Sequence, residues 1–479
     1  MTVVEQILNG HGPMMSSALA KHLFTRLAIP KNTASQQVSR AKEIIKIKGF
    51  FSSQQSFCYL ESHKKNRNLY DDLSKAMFDY GRKYWYCLNA IRLNNGMISR
   101  TELECYTNYP IERLKGHKPF SDIISEFIKA KIITYDDDYY YLAPGFTDNS
   151  LNTVKSRAIS QIKKTVLNDF AQIIKNIGLV SYNTPELFAE YGKFRWGIKG
   201  ASYVKGIKTD SKPGFIIADI LIGNPFYIKD IEFFIRKTDH VLSFSKAARI
   251  IPFLLIDNLD SEALDELKKK GIVIGFIGEL FGEKYANALN ELIALLNNVG
   301  ASLSGTPDKF IKLIDELEVY NQTLIHNIKG SLFEYFVGYI IQRDFRNIDI
   351  GRVIYGEKDK HEIDVFAYND DAVIIAECKA TKSPIDSDAI THWQRNVIPH
   401  VMDYIKTQDI LRDKKLIFEY WSTSGFTSDA SQRLEDFKNI TTAFIVDYYD
   451  ADAIKERVKN LKNKALSTTL NNYFLVSSL

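Results

Sequence analysis

His361-Glu-Ile-Asp-Val-Phe-Ala-Tyr-Asn-Asp-Asp-Ala-Val-Ile-Ile-Ala-Glu-Cys-Lys-Ala-Thr381 is the stretch whose reading decides the fold. It reads as two β-strands joined by a polar turn. Ile363, Val365 and Ala367 alternate with Asp364 and Phe366, and Asn369-Asp370-Asp371 makes the break. Ala372 to Ala376 is a continuous apolar run, as expected of a strand buried on both faces. Asp364 falls at the centre of the first strand, and Glu377 and Lys379 end the second. Side chains alternate along a strand, so Glu377 and Lys379 share a face and Cys378 points away. Two carboxylates and an ammonium converge near one sheet edge, which is costly unless a cation joins them.

The expected cation is Mg²⁺, with Mn²⁺ able to substitute, because hard divalent ions take oxygen ligands and keep water and phosphate in their shell. Asp364, Glu377 and the Cys378 carbonyl are the expected ligands. Lys379 is placed to position or deprotonate an attacking water. An Asp followed after about a dozen residues by Glu-x-Lys resembles the signature of the PD-(D/E)xK nuclease superfamily. Two flanking segments extend the likeness. Upstream, Lys329 to Ile341 reads as a helix with apolar residues at 332, 333, 336, 337, 340 and 341 and Glu334 near that stripe. It resembles the first helix of restriction-endonuclease-like folds, which implies that Glu334 points at the metal site. Downstream, Leu416 to Ala430 reads as a strand, a Ser/Thr/Gly turn and a helix start, and it is similar to the corresponding turn of Mrr-like restriction endonucleases.

The resemblance covers about 120 residues. It implies a restriction-endonuclease-like α/β domain over 308–479 that hydrolyses DNA phosphodiesters with Mg²⁺, in restriction or anti-phage defence. Mrr-like proteins often carry Gln where this chain has Glu377, so the core motif here keeps its carboxylate. Some relatives also place a Gln on the helix after Glu-x-Lys to help the metal site, which marks Gln394. A helix facing solvent or DNA backbone explains that residue equally well.

With 479 residues, several domains are expected, and 45% hydrophobic and 12% aromatic residues suffice for packed cores. A formal charge of +4 is too small to mark a polyanion partner by itself, so any basic surface must be local. Four cysteines, Cys58, Cys87, Cys105 and Cys378, form no Cys-x-x-Cys pair and read as reduced thiols. No secretory signal and no apolar run of about 20 residues is evident, so a cytoplasmic protein without a membrane partner is expected. Walker-type and Gly-x-Gly-x-x-Gly loops are absent from the sequence, which argues against a nucleotide site.

Residues 1–61 read as a winged helix-turn-helix. Helices are expected at Val3 to Leu8, at Ser16 to Phe24 and after Pro30, the third with Val38, Ala41, Ile44, Ile45 and Ile47 inward. A hairpin around Ser52 to Ser56 would form the wing. Ser35, Gln36, Ser39, Arg40 and Lys42 make the third helix's outer face, short polar and basic groups suited to base edges and phosphates of double-stranded DNA. A merely solvated face is the rival explanation. Residues 69–144 read as a second winged helix: one long helix from Leu69 to Leu93, further helices from Ser99 and from Phe120 to Ala130, and a hairpin with an Asp136-Asp137-Asp138 tip. That acidic tip would repel phosphate, which favours a structural or dimerising role.

Residues 150–298 read as α/β, with a basic helix near Thr153, strands at Phe215–Leu221, Tyr227–Phe234, Ile250–Ile256 and Val273–Ile277, and a closing helix at Glu283–Leu296. Asp219 followed by Ile235-Arg-Lys-Thr238 parallels Asp364 followed by Glu377-Cys-Lys-Ala-Thr381. On that parallel the domain is a second nuclease-like fold, inactive because Ile235 replaces the ligand Glu. Chance spacing in another α/β domain is the competing reading. Asn297 to Pro307 reads as a linker, and the tail from Ala451 as a basic helix. One active centre cuts one strand, so double-strand cleavage implies a homodimer or sequential nicking, and a defence setting admits a partner protein. A junction-resolvase-like enzyme and an inactive DNA-binding regulator or scaffold are the rival functions.

Overall fold

The structure, a computed structural model, describes all residues except 66–68, 137–138, 144, 147–152, 184, 209–211, 224, 245–248, 298–306, 356–359 and 476–479. Most of the expected 297–307 linker and the Asp137-Asp138 tip lie outside the described residues. The chain is a multidomain α/β protein with mixed sheets. It forms two compact units, one of residues 1–150 and 167–275, the other of residues 151–166 and 276–479. The expected boundary at 298 therefore moves: the closing helix of the middle segment packs with the C-terminal unit. No helix among the described residues is long and apolar enough to cross a membrane.

The first unit opens with α1 (Val3–His11), β1 (Met14–Met15), α2 (Ser16–Leu27), α3 (Lys31–Arg40), β2 (Ile45–Lys48) and β3 (Ser56–Tyr59), the strands ordered β1-β3-β2. A Thr2/Glu5 capping box starts α1, and Leu8, Leu19, Leu23, Val38 and Cys58 fill the core. The third helix is shorter than its sequence promised. It ends at Arg40, where Lys46 Nζ donates to the carbonyls of Ser39 (3.0 Å) and Ala41 (2.6 Å), and the β-branched Ile45 and Ile47 pair as a strand instead.

The next segment holds α4 (Leu69–Tyr80), α5 (Arg82–Leu93), β4 (Met97–Ser99), α6 (Arg100–Cys105), α7 (Phe120–Lys129), β5 (Ile133–Tyr135) and β6 (Tyr139–Leu142). The single helix expected over 69–93 is broken at Gly81. A Cβ there would lie 2.4 Å from the Phe50 carbonyl oxygen, so only glycine fits this backbone approach.

The middle elements are α8 (Thr153–Asn176), β7 (Glu186–Tyr191), β8 (Phe194–Ser202), β9 (Gly214–Leu221), α9 (Ile228–Ser243), β10 (Ile250–Ile256), α10 (Ser261–Lys269) and β11 (Val273–Phe276). The expected strand at Tyr227–Phe234 is instead the start of α9. Its buried Ile231, Phe234, Ile235, Thr238 and Val241 recur every three or four residues, a helical period.

The C-terminal unit continues with α11 (Ile277–Phe281), α12 (Glu283–Asn297), α13 (Pro307–Tyr320), α14 (Gln322–Gln342), β12 (Asn347–Tyr355), β13 (Lys360–Tyr368) and β14 (Ala372–Lys379). Then come α15 (Ser387–His392), a π-helical turn (Trp393–Val397), α16 (Ile398–Lys406), β15 (Lys415–Ser422), α17 (Ser428–Ile440), β16 (Ile445–Tyr449), α18 (Ala451–Asn460) and α19 (Lys464–Thr469). The helix expected from Lys329 is thus the second half of α14, and β12 had no sequence forecast.

The two five-stranded sheets share one topology. Each has a helix, three antiparallel strands, a helical crossover, a strand parallel to the third, another helix and a last edge strand. Strands β9 and β14 are both 8 residues long. Aligned end to end, Asp219 falls on Glu377 and Leu221 on Lys379. The registers Ile198↔Ala218 and Val365↔Ala376 then set Gly197 where the C-terminal unit has Asp364. The sequence parallel was therefore misaligned: Asp219 does not answer to Asp364, and Ile235 lies on a helix.

Candidate metal centre

Strands β13 and β14 pair from Val365↔Ala376 to Tyr368↔Val373, and Asn369 Oδ1 closes their turn by accepting from Asp371 N (2.9 Å) and Ala372 N (2.8 Å). On the other edge the β12–β13 register passes from Ile350↔Val365 to Arg352↔Ile363, skipping Gly351 and Asp364, and Gly351 has φ 65°. Ile363 and Phe366 belong to the same core cluster, with residues of α15, α16 and α17. Alternation thus slips by one between them, while the β12–β13 register is kept on either side of Gly351 and Asp364.

Asp364 Oδ2 accepts from Cys378 N at 2.8 Å and from Lys379 Nζ at 3.3 Å. Lys379 Nζ also lies 2.6 Å from Glu377 Oε1, so the ammonium bridges the two carboxylates. Glu334 comes from α14, buried between Phe333 and Tyr335. Glu334, Glu362 and Asp364 each present an oxygen within 4.8 Å of the other two. Glu362 Oε1 accepts from Thr153 Oγ1 and pairs with Arg157.

Four carboxylates face two cations here, and the imbalance shows in their ionisation. Burial, then the charges of Asp364 and Glu362, push Glu334 well above the usual carboxylate range. Burial raises Glu362, with Arg157 opposing. Glu377 is raised to about 7 by burial and by Asp364. Burial disfavours the Lys379 ammonium, but Asp364 and Glu377 outweigh it and hold the group protonated well beyond its ordinary range.

These residues fit a hard divalent cation. The donors are carboxylate oxygens, and Glu334 Oε2 is buried with no hydrogen-bond partner. Oxygens on opposite sides of an ion bound at about 2.1 Å stand about 4.2 Å apart. Only one pair among three octahedral ligands can be opposite, and adjacent ones stand about 3.0 Å apart, so the three carboxylates, within 4.8 Å of one another, must close around an ion.

Among the sequence-derived candidates, Glu334, Asp364, Glu377 and Lys379 are brought together, and Cys378 contributes its amide to Asp364. Gln394 sits in the π-helical turn, where its Oε1 accepts from Arg433 Nε at 3.0 Å. Glu362 was missed. Its signal was its place two residues before Asp364, on the same side of an alternating strand. Ser35, Gln36, Ser39 and Arg40 are exposed on α3, and Lys42 is exposed just past its end. Ser35 and Ser39 line an open groove of about 670 Å³ with Lys46, Lys48 and Gln55.

Asp219, the counterpart of Glu377, is fully buried. Its Oδ2 lies 2.6 Å from Lys237 Nζ of α9, and its Oδ1 accepts from Gly197 N at 2.7 Å. Lys237 Nζ also donates to the carbonyls of Cys105 and Arg195. This carboxylate is saturated by a lysine, and the matching position on β8 is a glycine.

No protein-family description matches the chain, and no curated protein matches it. Among solved structures the chain is similar to the crystal structure of protein VC1899 from Vibrio cholerae. Identity is 9% over 59% of this chain and 80% of that one, with a TM-score of 0.15. A likeness at that level carries no argument about function.

Proposed function

We propose that this chain is a Mg²⁺-dependent endonuclease of double-stranded DNA, with Mn²⁺ able to substitute, whose chemistry resides in the C-terminal unit. The observation that supports it is the convergence of Glu334, Glu362, Asp364, Glu377 and Lys379 at one strand fork. Glu334, Glu362 and Asp364 would hold the cation, with Glu377 beside them. A bound divalent ion supplies charge to offset that developing on a phosphate and acidifies bound water. The protein's own part is to bind and orient. Lys379, fixed between Glu377 and Asp364, directs a hydrogen-bond donor at the water or the phosphate. Cys378 N fixes the rotamer of Asp364, and Glu377, raised to about 7, can take or release a proton near neutrality.

The α1–β3 segment has the element order of a winged helix, and the exposed face of α3 with its basic, serine-lined groove suits a phosphate backbone. Restriction or anti-phage defence is the setting that the PD-(D/E)xK and Mrr-like resemblance implies. Double-strand cleavage then requires a homodimer or two nicks. Supercoiled plasmid incubated with the protein separates this reading from an inactive DNA-binding regulator. Nicking with Mg²⁺, none with EDTA and none with Asp364→Ala is expected. A folded, DNA-binding wild-type protein that never nicks with either metal overturns it.

A further inference from the structure

Glu362 is held from a distant part of the chain. Thr153 and Arg157 lie four residues apart, on one face of α8, and both contact the same oxygen, Glu362 Oε1. Thr153 Oγ1 also reaches the carbonyl of Gly351 at 3.5 Å, and Gly351 is the residue skipped opposite Asp364. The first turns of α8, through Val166, belong to the C-terminal unit, and the helix from Leu167 onward belongs to the other.

We propose that Arg157, with Thr153, is a positioning pair for the cation site. Together they turn the Glu362 carboxylate toward Glu334 and Asp364 and offset part of the cluster's negative charge. The site of the C-terminal unit is then completed by a helix whose remainder lies in the other unit. The inference rests on the cation-site reading above. Three carboxylates that must share an ion repel one another before it arrives, and a Glu side chain is free to swing away. Pinning one oxygen removes that freedom before binding. Arginine suits the task, because its guanidinium is always charged and its planar fork is pre-organised. A guanidinium also repels an incoming cation, yet partners that hold a ligand's far side raise metal affinity on balance, about 10- to 100-fold.

The test is Mn²⁺ binding to the full-length protein, followed by electron paramagnetic resonance of free against bound ion, together with the Mn²⁺ dependence of plasmid nicking. Arg157→Ala should weaken binding about 10- to 100-fold. It should raise the Mn²⁺ concentration for half-maximal nicking in step, with the rate recovering at saturating metal. Arg157→Lys should regain part of the affinity, which a merely structural role would not require. Thr153→Val should show a smaller loss in the same direction and serves if Arg157→Ala does not fold. Wild-type affinity in a folded Arg157→Ala protein, or in both Thr153→Val and Arg157→Lys, overturns the proposal. Wild-type protein that binds no Mn²⁺ overturns the cation site itself, a distinct result.

Discussion

Divalent-cation binding should be steeply coupled to pH, and the size of the coupling follows from Glu377. Its carboxyl is raised from 4.5 to about 7 by burial and by Asp364, and a nearby cation favours the ionised form. Binding must therefore displace a proton wherever the pH lies below about 7. The ionised fraction of a group with a pKa near 7 falls from about 0.9 at pH 8 to about 0.1 at pH 6, so Glu377 alone weakens Mn²⁺ by at most about tenfold over that range. Glu334 and Glu362, also raised, steepen the dependence. For the stability of the metal-free protein the sign is the reverse. A carboxyl raised in the folded state stabilises fully below about 4.5, and that contribution is lost as pH rises through about 7. Mn²⁺ should therefore raise the melting temperature more at pH 8 than at pH 6. Calorimetric titration at pH 6, 7 and 8 in buffers of different ionisation enthalpy gives both the affinity and the protons released. Glu377→Gln should flatten the pH dependence by up to about tenfold. An affinity independent of pH, with no proton release, would refute this electrostatic picture of the site.

Lys379→Ala should abolish single-turnover cleavage while duplex binding, measured by anisotropy, changes only a few-fold; retained cutting removes Lys379 from the chemistry. Asp219→Ala leaves the Lys237 ammonium buried without its counter-charge, at a cost of about 3–5 kcal/mol. Chemical denaturation should show that loss while the cleavage rate per folded molecule stays unchanged. A stable but inactive Asp219→Ala protein would instead make the first unit a second working centre. Arg40→Ala with Lys42→Ala should lower the magnitude of the salt slope of DNA binding by about 0.9 for each phosphate no longer neutralised, and an unchanged slope takes that face off the DNA.

Period and turn chemistry made the β13–β14 fork readable, because Asn369 to Asp371 breaks two apolar strands. They also brought residues 364, 377 and 379 to one sheet edge, whereas the place of Glu334 was implied only by the resemblance of its helix to the first helix of restriction-endonuclease-like folds. What stayed hidden was tertiary. Glu362 stands two residues before Asp364, but that spacing marks a ligand only once Glu334 and Arg157 are packed beside it, and no local pattern records a partner about 200 residues away. The α9 error came from reading Tyr227 to Phe234, with its Phe233-Phe234 pair, as a strand. Such a run is ambiguous by itself, and the helical spacing emerges only when Thr238 and Val241 are included. That error shifted the comparison of the two sheets by one strand. The break at Gly81 depends on a carbonyl thirty-one residues earlier in sequence, at Phe50, beyond any window that propensity covers. The end of α3 at Arg40 is set likewise by a lysine on the following strand.

The central claim, a cation held by Glu334, Glu362 and Asp364, meets its most direct test in crystals of the protein soaked in MnCl₂ and measured for anomalous scattering. The account predicts one peak at about 2.1 Å from a carboxylate oxygen of each of these three residues, and none beside Asp219. No peak at the β13–β14 fork, or a peak held by Asp219, would contradict it.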